Sequence, residues 1–307
     1  MGGGKTELQL VEFDMSRIKD NSIVIFIGKR NSGKSFLIRD LLYHHRTIPV
    51  GTVLSGTESA NGFYTEMVPE MFIHHDFSPE VVQRVMRRQM MMASRVRAGE
   101  QIDPRAFCIF DDLMFDSKEW IKDKSVKEIF FNGRHFSLFY LLTMQFPLGI
   151  PPELRTNVDY VFLLREPFMS NRKRLYDHYA GMFGSFDAFN QVMNQCTEDY
   201  HCLVLDNTTK SNRLQDQVFW YKGKPRPEFR LGSKQFWDSS QNEKIREQRR
   251  QALFNSAGDG DGGVIGKKKS AQTITVQKVS KSSAPSSSRG GSVGGRQHSG
   301  GEDDDLC

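Results

Sequence analysis

Eight consecutive residues carry the most chemistry in this chain. Gly28, Lys29, Arg30, Asn31, Ser32, Gly33, Lys34 and Ser35 fit the pattern G-x-x-x-x-G-K-[ST] in full. Glycine permits backbone conformations closed to other residues, and so lets a loop wrap an anion closely. Successive N–H groups and the start of the following helix then face that anion. A lysine at the position of Lys34 reaches the β- and γ-phosphates of a nucleotide, and the hydroxyl of Ser35 ligates Mg²⁺. The flanks suit the loop. Residues 22–27 read as a buried strand and residues 36–42 as an amphipathic helix, a context that an ordinary turn would lack.

Two acids close the apolar run 106–110 downstream of the loop. At the carboxyl end of a strand, Asp111 can serve Mg²⁺ and Asp112 can orient and deprotonate an attacking water. Without the loop, the same pair would read as a solubilising strand end. Gln145 ends the next apolar run, 138–142, which continues through Thr143 and Met144. Its amide can donate to a γ-phosphate and hold the water without competing for the proton. The order of loop, acid pair and polar sensor suits an ATPase of the oligomeric-motor type. Such motors borrow a cation from a neighbouring subunit to offset transition-state charge. Arg134 and Arg155 are the candidates, and each would alternatively cap carbonyls at a helix end. No Asn-Lys-x-Asp guanine reader is present. His135 is expected to tie its loop to the strand that follows.

The elements that must position these residues alternate. A second strand is expected at 51–56. Ser78, Pro79 and Glu80 are a strong helix start, with the helix running to about Ala98 and Gly99 as its stop. On it, Val82, Val85, Met86, Ala93 and Val96 mark an apolar face, Met90, Met91 and Met92 read as core filling, and Arg84, Arg88 and Arg95 form a face more in keeping with solvent than with DNA. Ser125 and Glu128 read as a capping box opening a helix that ends near Gly133. A strand is expected at 160–164, helices at 171–183 and 185–196, and an antiparallel edge pair at 202–206 and 217–221. Near-continuous apolar strands alternating with helices imply an α/β fold with a mostly parallel sheet covered on both faces.

The chain has 307 residues and a net charge of +5, compatible with a polyanionic partner without demanding one. Its four cysteines lack metal-site or disulfide spacing, which predicts free thiols in a reducing compartment. No apolar run approaches the roughly 20 residues needed to span a bilayer, the start has no apolar signal region, and Gly2 is a poor myristoylation site. From about Ser256 the composition turns to Gly, Ser and Lys, as in a disordered tail. Lys267, Lys268 and Lys269 within it read as a solvated linker rather than a nuclear address. Residues 242–250 read as an exposed basic helix. The expected organisation is an N-terminal extension at 1–20, a P-loop domain at 21–235, a basic helical segment at 236–255 and the tail at 256–307.

Taken together, the blocks Gly28–Ser35, Ile109–Leu113, Asn132–His135, Thr143–Gln145 and Leu154–Tyr160 resemble the genome-packaging ATPase of nucleocytoplasmic large DNA viruses, in the FtsK–HerA superfamily. The resemblance covers roughly residues 20–222. It implies a RecA-like core, a homo-oligomeric ring, and ATP-driven translocation of double-stranded DNA into a preformed capsid, with capsid or portal components as partners. It also implies work in the host cytoplasm or viral factory, with any contact to an inner virion membrane made through partners. On the matching positions, the loop residues bind ATP, Ser35 and Asp111 serve Mg²⁺, Asp112 is the base and Gln145 the sensor. Many superfamily members carry Asp-Glu where this chain has Asp111 and Asp112. The extra N-terminal domain of cellular relatives is not expected here. Two other readings stay open: a phosphotransferase acting on a small molecule, and a nucleotide-gated assembly factor that barely hydrolyses.

Overall fold

A computed structural model describes residues 8–113, 117–147 and 150–258. Eight strands, β1 (Ile23–Ile27), β2 (Gly51–Ser55), β3 (Ile73–His74), β4 (Ala106–Asp111), β5 (Leu138–Met144), β6 (Tyr160–Leu163), β7 (His201–Asp206) and β8 (Val218–Lys222), form one sheet in the order β3-β2-β4-β5-β1-β6-β7-β8. The pairs from β3 through β6 are parallel, while β6–β7 and β7–β8 are antiparallel. The mostly parallel sheet and its late antiparallel edge match the sequence reading. The two-residue β3 carried too little sequence to announce itself.

The described helices are α1 (Lys34–His44), α2 (Glu58–Asn61), α3 (Pro79–Arg97), α4 (Ser117–Trp120), α5 (Lys124–Asn132), α6 (Pro152–Arg155), α7 (Met169–Tyr179), α8 (Phe186–Cys196), α9 (Leu214–Gln217) and α10 (Lys234–Gly258). They cover both faces of the sheet, which therefore separates two cores. Successive side chains of a strand point to opposite faces. Ile23, Ile25 and Ile27 accordingly pack with α3, α5, α7 and α8, through Val82, Ile129, Leu175 and Phe189. Val24 and Phe26 pack on the other side with Leu37, Ile38 and Leu41 of α1. This two-sided burial is why the strands read as unbroken apolar runs.

Residues before β1 are part of this fold. Phe13, Met15 and Ile18 are buried in the second core, and Phe13 N–H donates to Trp220 on β8 at 2.8 Å. At the other end, Phe236 of α10 is buried against Phe72 and Phe107, and Lys244 pairs with Glu70 at 2.8 Å. The compact unit runs to Ser256. Residues 256–258, expected in the tail, still belong to α10, and the expectations for the rest of the tail, Lys267–Lys269 and Gly2 lie outside the described residues.

Several local expectations are corrected. The carboxylate of Asp123, not Ser125, caps α5, accepting from Ser125 N–H at 2.8 Å and Val126 N–H at 3.0 Å, while Ser125 is buried inside the first turn. A carboxylate there also meets the positive end of the helix dipole. The methionine run is split: Met92 is buried, but Met91 is 55% exposed and Val96 is exposed as well, because α3 rotates them off the sheet. Gln89 takes the core position instead, donating to the carbonyls of Pro104 and Phe136. Helix α7 ends at Tyr179, ahead of Gly181. His135 is exposed. The turn is tied instead by Asn21, which donates to the Arg134 carbonyl at 3.3 Å. Cys108, Cys196 and Cys202 are free thiols, as expected, and burial pushes the Cys108 thiol up to about 12.

Candidate active site at the carboxyl edge of the sheet

The order of strands sets the site. β1 lies between β5 and β6, and β5 separates it from β4. The carboxyl ends of β1, β5 and β4 therefore stand side by side, carrying the glycine loop, Gln145 and the acid pair. Open parallel sheets bind ligands at this edge. A cleft of about 500 Å³ here is lined by Lys34, Ser35, Asp111, Asp112 and Gln145 among others.

The loop is shaped by sterics. A Cβ at Gly28 would stand 2.7 Å from Leu164 Cβ and 2.8 Å from Ser32 Oγ, so a side chain is excluded. Asn31 (φ 61°) and Gly33 (φ 91°) take left-handed backbone conformations, and Ser32 Oγ donates to the Lys29 carbonyl at 2.7 Å. Gly33 caps α1 without any side-chain hydrogen bond, and the first turn of α1 carries no acid. Its leading N–H groups are thus left for an anionic ligand. Lys34 lies half-buried in the cleft. Burial pulls its ammonium pKa below the usual lysine range, against the pull of Asp111 and Asp112. Ser35 is exposed at the cleft. Lys29 turns aside: its Nζ lies 3.5 Å from the Phe168 ring centroid and 3.6 Å from Glu166 Oε1.

The acid pair is held differently at its two members. Asp111 is buried and accepts hydrogen bonds from the hydroxyls of Thr143 and, at 3.3 Å, Ser55. Burial raises its carboxyl pKa, and the Thr143 bond and the Lys34 charge oppose that shift. Asp112 takes a left-handed conformation (φ 53°), and its N–H donates to Thr143 Oγ1 at 3.2 Å. One carboxylate oxygen accepts from the Gln145 amide, while Oδ1 is buried with no hydrogen-bond partner among the described residues. Residues held in such backbone regions concentrate at functional sites. Lys34, Ser35, Asp111, Asp112 and Gln145, separated by up to about 110 positions in sequence, thus converge.

The two arginines do not join them within one chain. Arg134 follows α5 and pairs with Asp159, whose other oxygen accepts from Ile23 N–H at 2.8 Å. That is the amino end of β1, whose five residues span about 17 Å to the loop. Arg155 donates to the His178 carbonyl near the end of α7 at 3.1 Å and lies 6.0 Å from the Tyr179 ring centroid.

Sequence reasoning missed part of the cleft. Thr57, Ala60, Asn61 and Phe63, after β2, form one wall. Glu58 pins that wall: its buried carboxylate accepts from Tyr64 N–H at 3.0 Å and Thr65 N–H at 2.8 Å. The Tyr64 hydroxyl is buried beside Asp111 without a well-formed hydrogen bond. Burial and the charges of Asp111 and Glu58 keep it protonated. Thr143 organises both acids, and in sequence it stands out only as a neighbour of Gln145.

The residues present fit a metal bound jointly with phosphates. Among the described residues no cluster of three or more His, Cys, Asp or Glu could cage a metal alone. Mg²⁺ is usually held by one or two carboxylates together with substrate phosphates and water. A buried Asp111 whose charged form is disfavoured, beside the orphaned Asp112 oxygen, is the donor chemistry such a cation completes.

No protein-family model matches the chain. Uncharacterized protein L437 of Acanthamoeba polyphaga mimivirus is 40% identical over 236 residues, covering 76% of this chain and 83% of L437. Uncharacterized protein 075L of Invertebrate iridescent virus 6 is 40% identical over 205 residues, covering 66% of this chain and 77% of 075L. Among solved structures, the genome-packaging NTPase B204 of Sulfolobus turreted icosahedral virus 2, in complex with AMPPCP, is a distant likeness. It has 15% identity and a TM-score of 0.45, over 68% of this chain and 100% of B204. The phosphate loop after β1, the acid pair at the end of β4 and the intervening β5 make this a P-loop NTPase fold, and the chain belongs to the family of nucleocytoplasmic large DNA virus proteins that includes L437 and 075L.

Proposed function

We propose that this chain is an ATP-hydrolysing motor that moves double-stranded viral DNA into preformed capsids. The observation that carries the reading is the convergence of Lys34, Asp111, Asp112 and Gln145 in one cleft around an uncapped helix start. Its viral family and the motif resemblance supply the biological setting.

In this reading Gly28–Ser35 cradle the phosphates and Lys34 neutralises charge on the β- and γ-phosphates. Ser35 and Asp111 hold Mg²⁺, which when bound shields the phosphate oxygens. Asp112 takes the proton of the attacking water. Gln145, which touches Asp112 already, orients that water and senses the γ-phosphate. Asp112 is shorter than the Glu of many superfamily members, and its backbone is left-handed. Arg134 acts on a neighbouring subunit of a homo-oligomeric ring. Its distance from its own phosphate loop leaves action in trans as its route, and Arg155, bound to a helix-end carbonyl, is the weaker choice. Capsid or portal components are the partners, and the host cytoplasm or viral factory the place. Any contact with an inner virion membrane is made through partners; no helix among the described residues is long and apolar enough to cross a membrane. The P-loop domain at 21–235 works with the basic segment at 236–255.

Lys34→Ala tests the reading. Because burial already disfavours the Lys34 charge, its removal is expected to leave the melting temperature unchanged or raised. ATP hydrolysis is expected to vanish. Wild-type turnover in a folded Lys34→Ala chain would overturn the proposal.

A further inference from the structure

A second cleft, of about 320 Å³, adjoins the first. It is lined by Gly33, Phe36, Leu37, Tyr200, Lys222 and Gly223. Gly33 and Phe36 line both clefts, so the two are continuous across the start of α1. The topology explains the juxtaposition. β7 runs antiparallel to β6 and starts at the phosphate-loop edge, and β8 ends there, with His201 opposite Lys222. Tyr200 and Gly223 are therefore delivered beside the loop from the far edge of the sheet.

The lining has the character of a stacking site. Tyr200 is 64% exposed and Phe36 48% exposed. A Cβ on Gly33 would meet Tyr200 Cδ1 at 3.2 Å, so the tyrosine ring lies against the bare glycine. Asp199 (φ 49°) and Tyr200 (φ 60°) are successive left-handed residues, a backbone state that costs energy in non-glycine residues and recurs at ligand clamps. Lys222, the one charged lining residue, is paired to Asp199 at 2.6 Å, which ties the turn to β8. A Cβ at Gly223 would stand 2.8 Å from Phe36 Cδ1, so glycine keeps the cleft open.

We infer that this cleft seats the base of the bound nucleotide by stacking on Tyr200 and Phe36, and that it does not distinguish adenine from guanine. The inference rests on the phosphate-loop reading: phosphates seated on the loop at Gly33 leave the nucleoside beside the cleft that Gly33 and Phe36 also line. Stacking tolerates any base because every base has a π-face. Rejection by orders of magnitude needs buried polar groups that a wrong base leaves unpaired. The lining side chains offer only Lys222, already engaged, and the rim hydroxyl of Tyr200.

The test is calorimetric titration of the full chain with ATP, GTP and inorganic tripolyphosphate in Mg²⁺. Wild type is expected to bind ATP and GTP within about tenfold of each other. Tyr200→Ala should weaken both by about tenfold and leave tripolyphosphate within about twofold, the scale of one lost aromatic stack. Tyr200→Phe should retain wild-type affinity. Gly223→Leu, which sets a side chain against Phe36 in the cleft, should reproduce the Tyr200→Ala pattern. A preference for ATP over GTP beyond about a hundredfold refutes non-selective stacking. Equal losses for tripolyphosphate and ATP would make Tyr200 a support of the loop and refute the base site. Unchanged ATP affinity in both variants, with a drop in oligomeric mass by analytical ultracentrifugation, would assign the cleft to a second copy instead. A wild-type chain that binds neither ATP nor tripolyphosphate refutes the phosphate-loop reading itself, and this one with it.

Discussion

Replacing Thr143 with valine removes one hydroxyl at the centre of the acid pair and keeps the side-chain shape. That hydroxyl donates to the buried Asp111 carboxylate and accepts from Asp112 N–H at 3.2 Å. A hydrogen bond to a charged group contributes roughly 1.5–3 kcal/mol, and an orphaned N–H costs roughly 1–3 kcal/mol, towards the low end here because Asp112 is only half-buried. The loss should total about 3 kcal/mol, a lowering of melting temperature by about 6–12 °C at roughly 2–4 °C per kcal/mol for a unit of this size. The chemistry should change too. The Thr143 bond opposes the upward shift of the Asp111 carboxyl, so Thr143→Val raises that carboxyl further. Mg²⁺ competes with a proton at Asp111, so half-saturation of hydrolysis should move to higher Mg²⁺, and by more at the lower of two pH values. Thr143→Ser keeps the hydroxyl and should restore both readouts. Scanning fluorimetry and Mg²⁺ titrations of ATPase rate at two pH values would measure this. An unchanged melting temperature and Mg²⁺ dependence in the valine variant, or a serine variant as impaired as valine, would refute the role given to Thr143.

Other expectations address the remaining assignments. Asp112→Asn should keep nucleotide and Mg²⁺ binding and slow turnover by about 10²-fold or more, as for a lost general base; loss of nucleotide affinity alone would reject that role. For Asp111, whose folded pKa lies above its unfolded value, stabilisation is present below the unfolded value and lost as pH rises through the folded one. At pH 7 its charge is therefore a burden, and Asp111→Asn should raise the melting temperature without nucleotide, lose this stability advantage as pH falls towards 4, and weaken the Mg²⁺ dependence of hydrolysis. A variant less stable than wild type at pH 7 would contradict that sign. If Arg134 acts between subunits, mixing Arg134→Ala with Lys34→Ala chains should restore activity, since a finger is worth roughly 10³–10⁵ in rate. Absence of complementation, together with activity strictly proportional to concentration, would reduce Arg134 to its ion pair with Asp159.

What could be read in advance, and what could not, divides by the range of the interaction. The phosphate loop, the buried strands and the Ser78 cap were legible because each is set by neighbours in sequence: a glycine that must clear Leu164, a strand apolar on both faces, a hydroxyl accepting from Val81 N–H. The wall formed by Thr57–Phe63 was not, since it is a wall only because Glu58 folds its loop back onto Tyr64 and Thr65. Likewise Arg134 looks catalytic beside Gly133 in sequence, and only the tertiary fold brings it to Asp159, 25 positions away. Tyr200 gave no signal at all. A lone tyrosine before a strand becomes notable only once the reversed β7 and β8 carry it to Gly33. The mistaken cap at Ser125 is a different failure: two local acceptors competed two residues apart, and the charged one prevailed.

The central claim, a motor driven by ATP and acting on DNA, meets its most direct test in the steady-state ATPase rate measured with and without double-stranded DNA at two salt concentrations. Duplex DNA should raise the rate, and the stimulation should shrink at the higher salt, because contacts to the phosphate backbone displace counterions and weaken as salt rises. A rate indifferent to duplex DNA at both salt concentrations would contradict the account and favour a phosphotransferase acting on a small molecule.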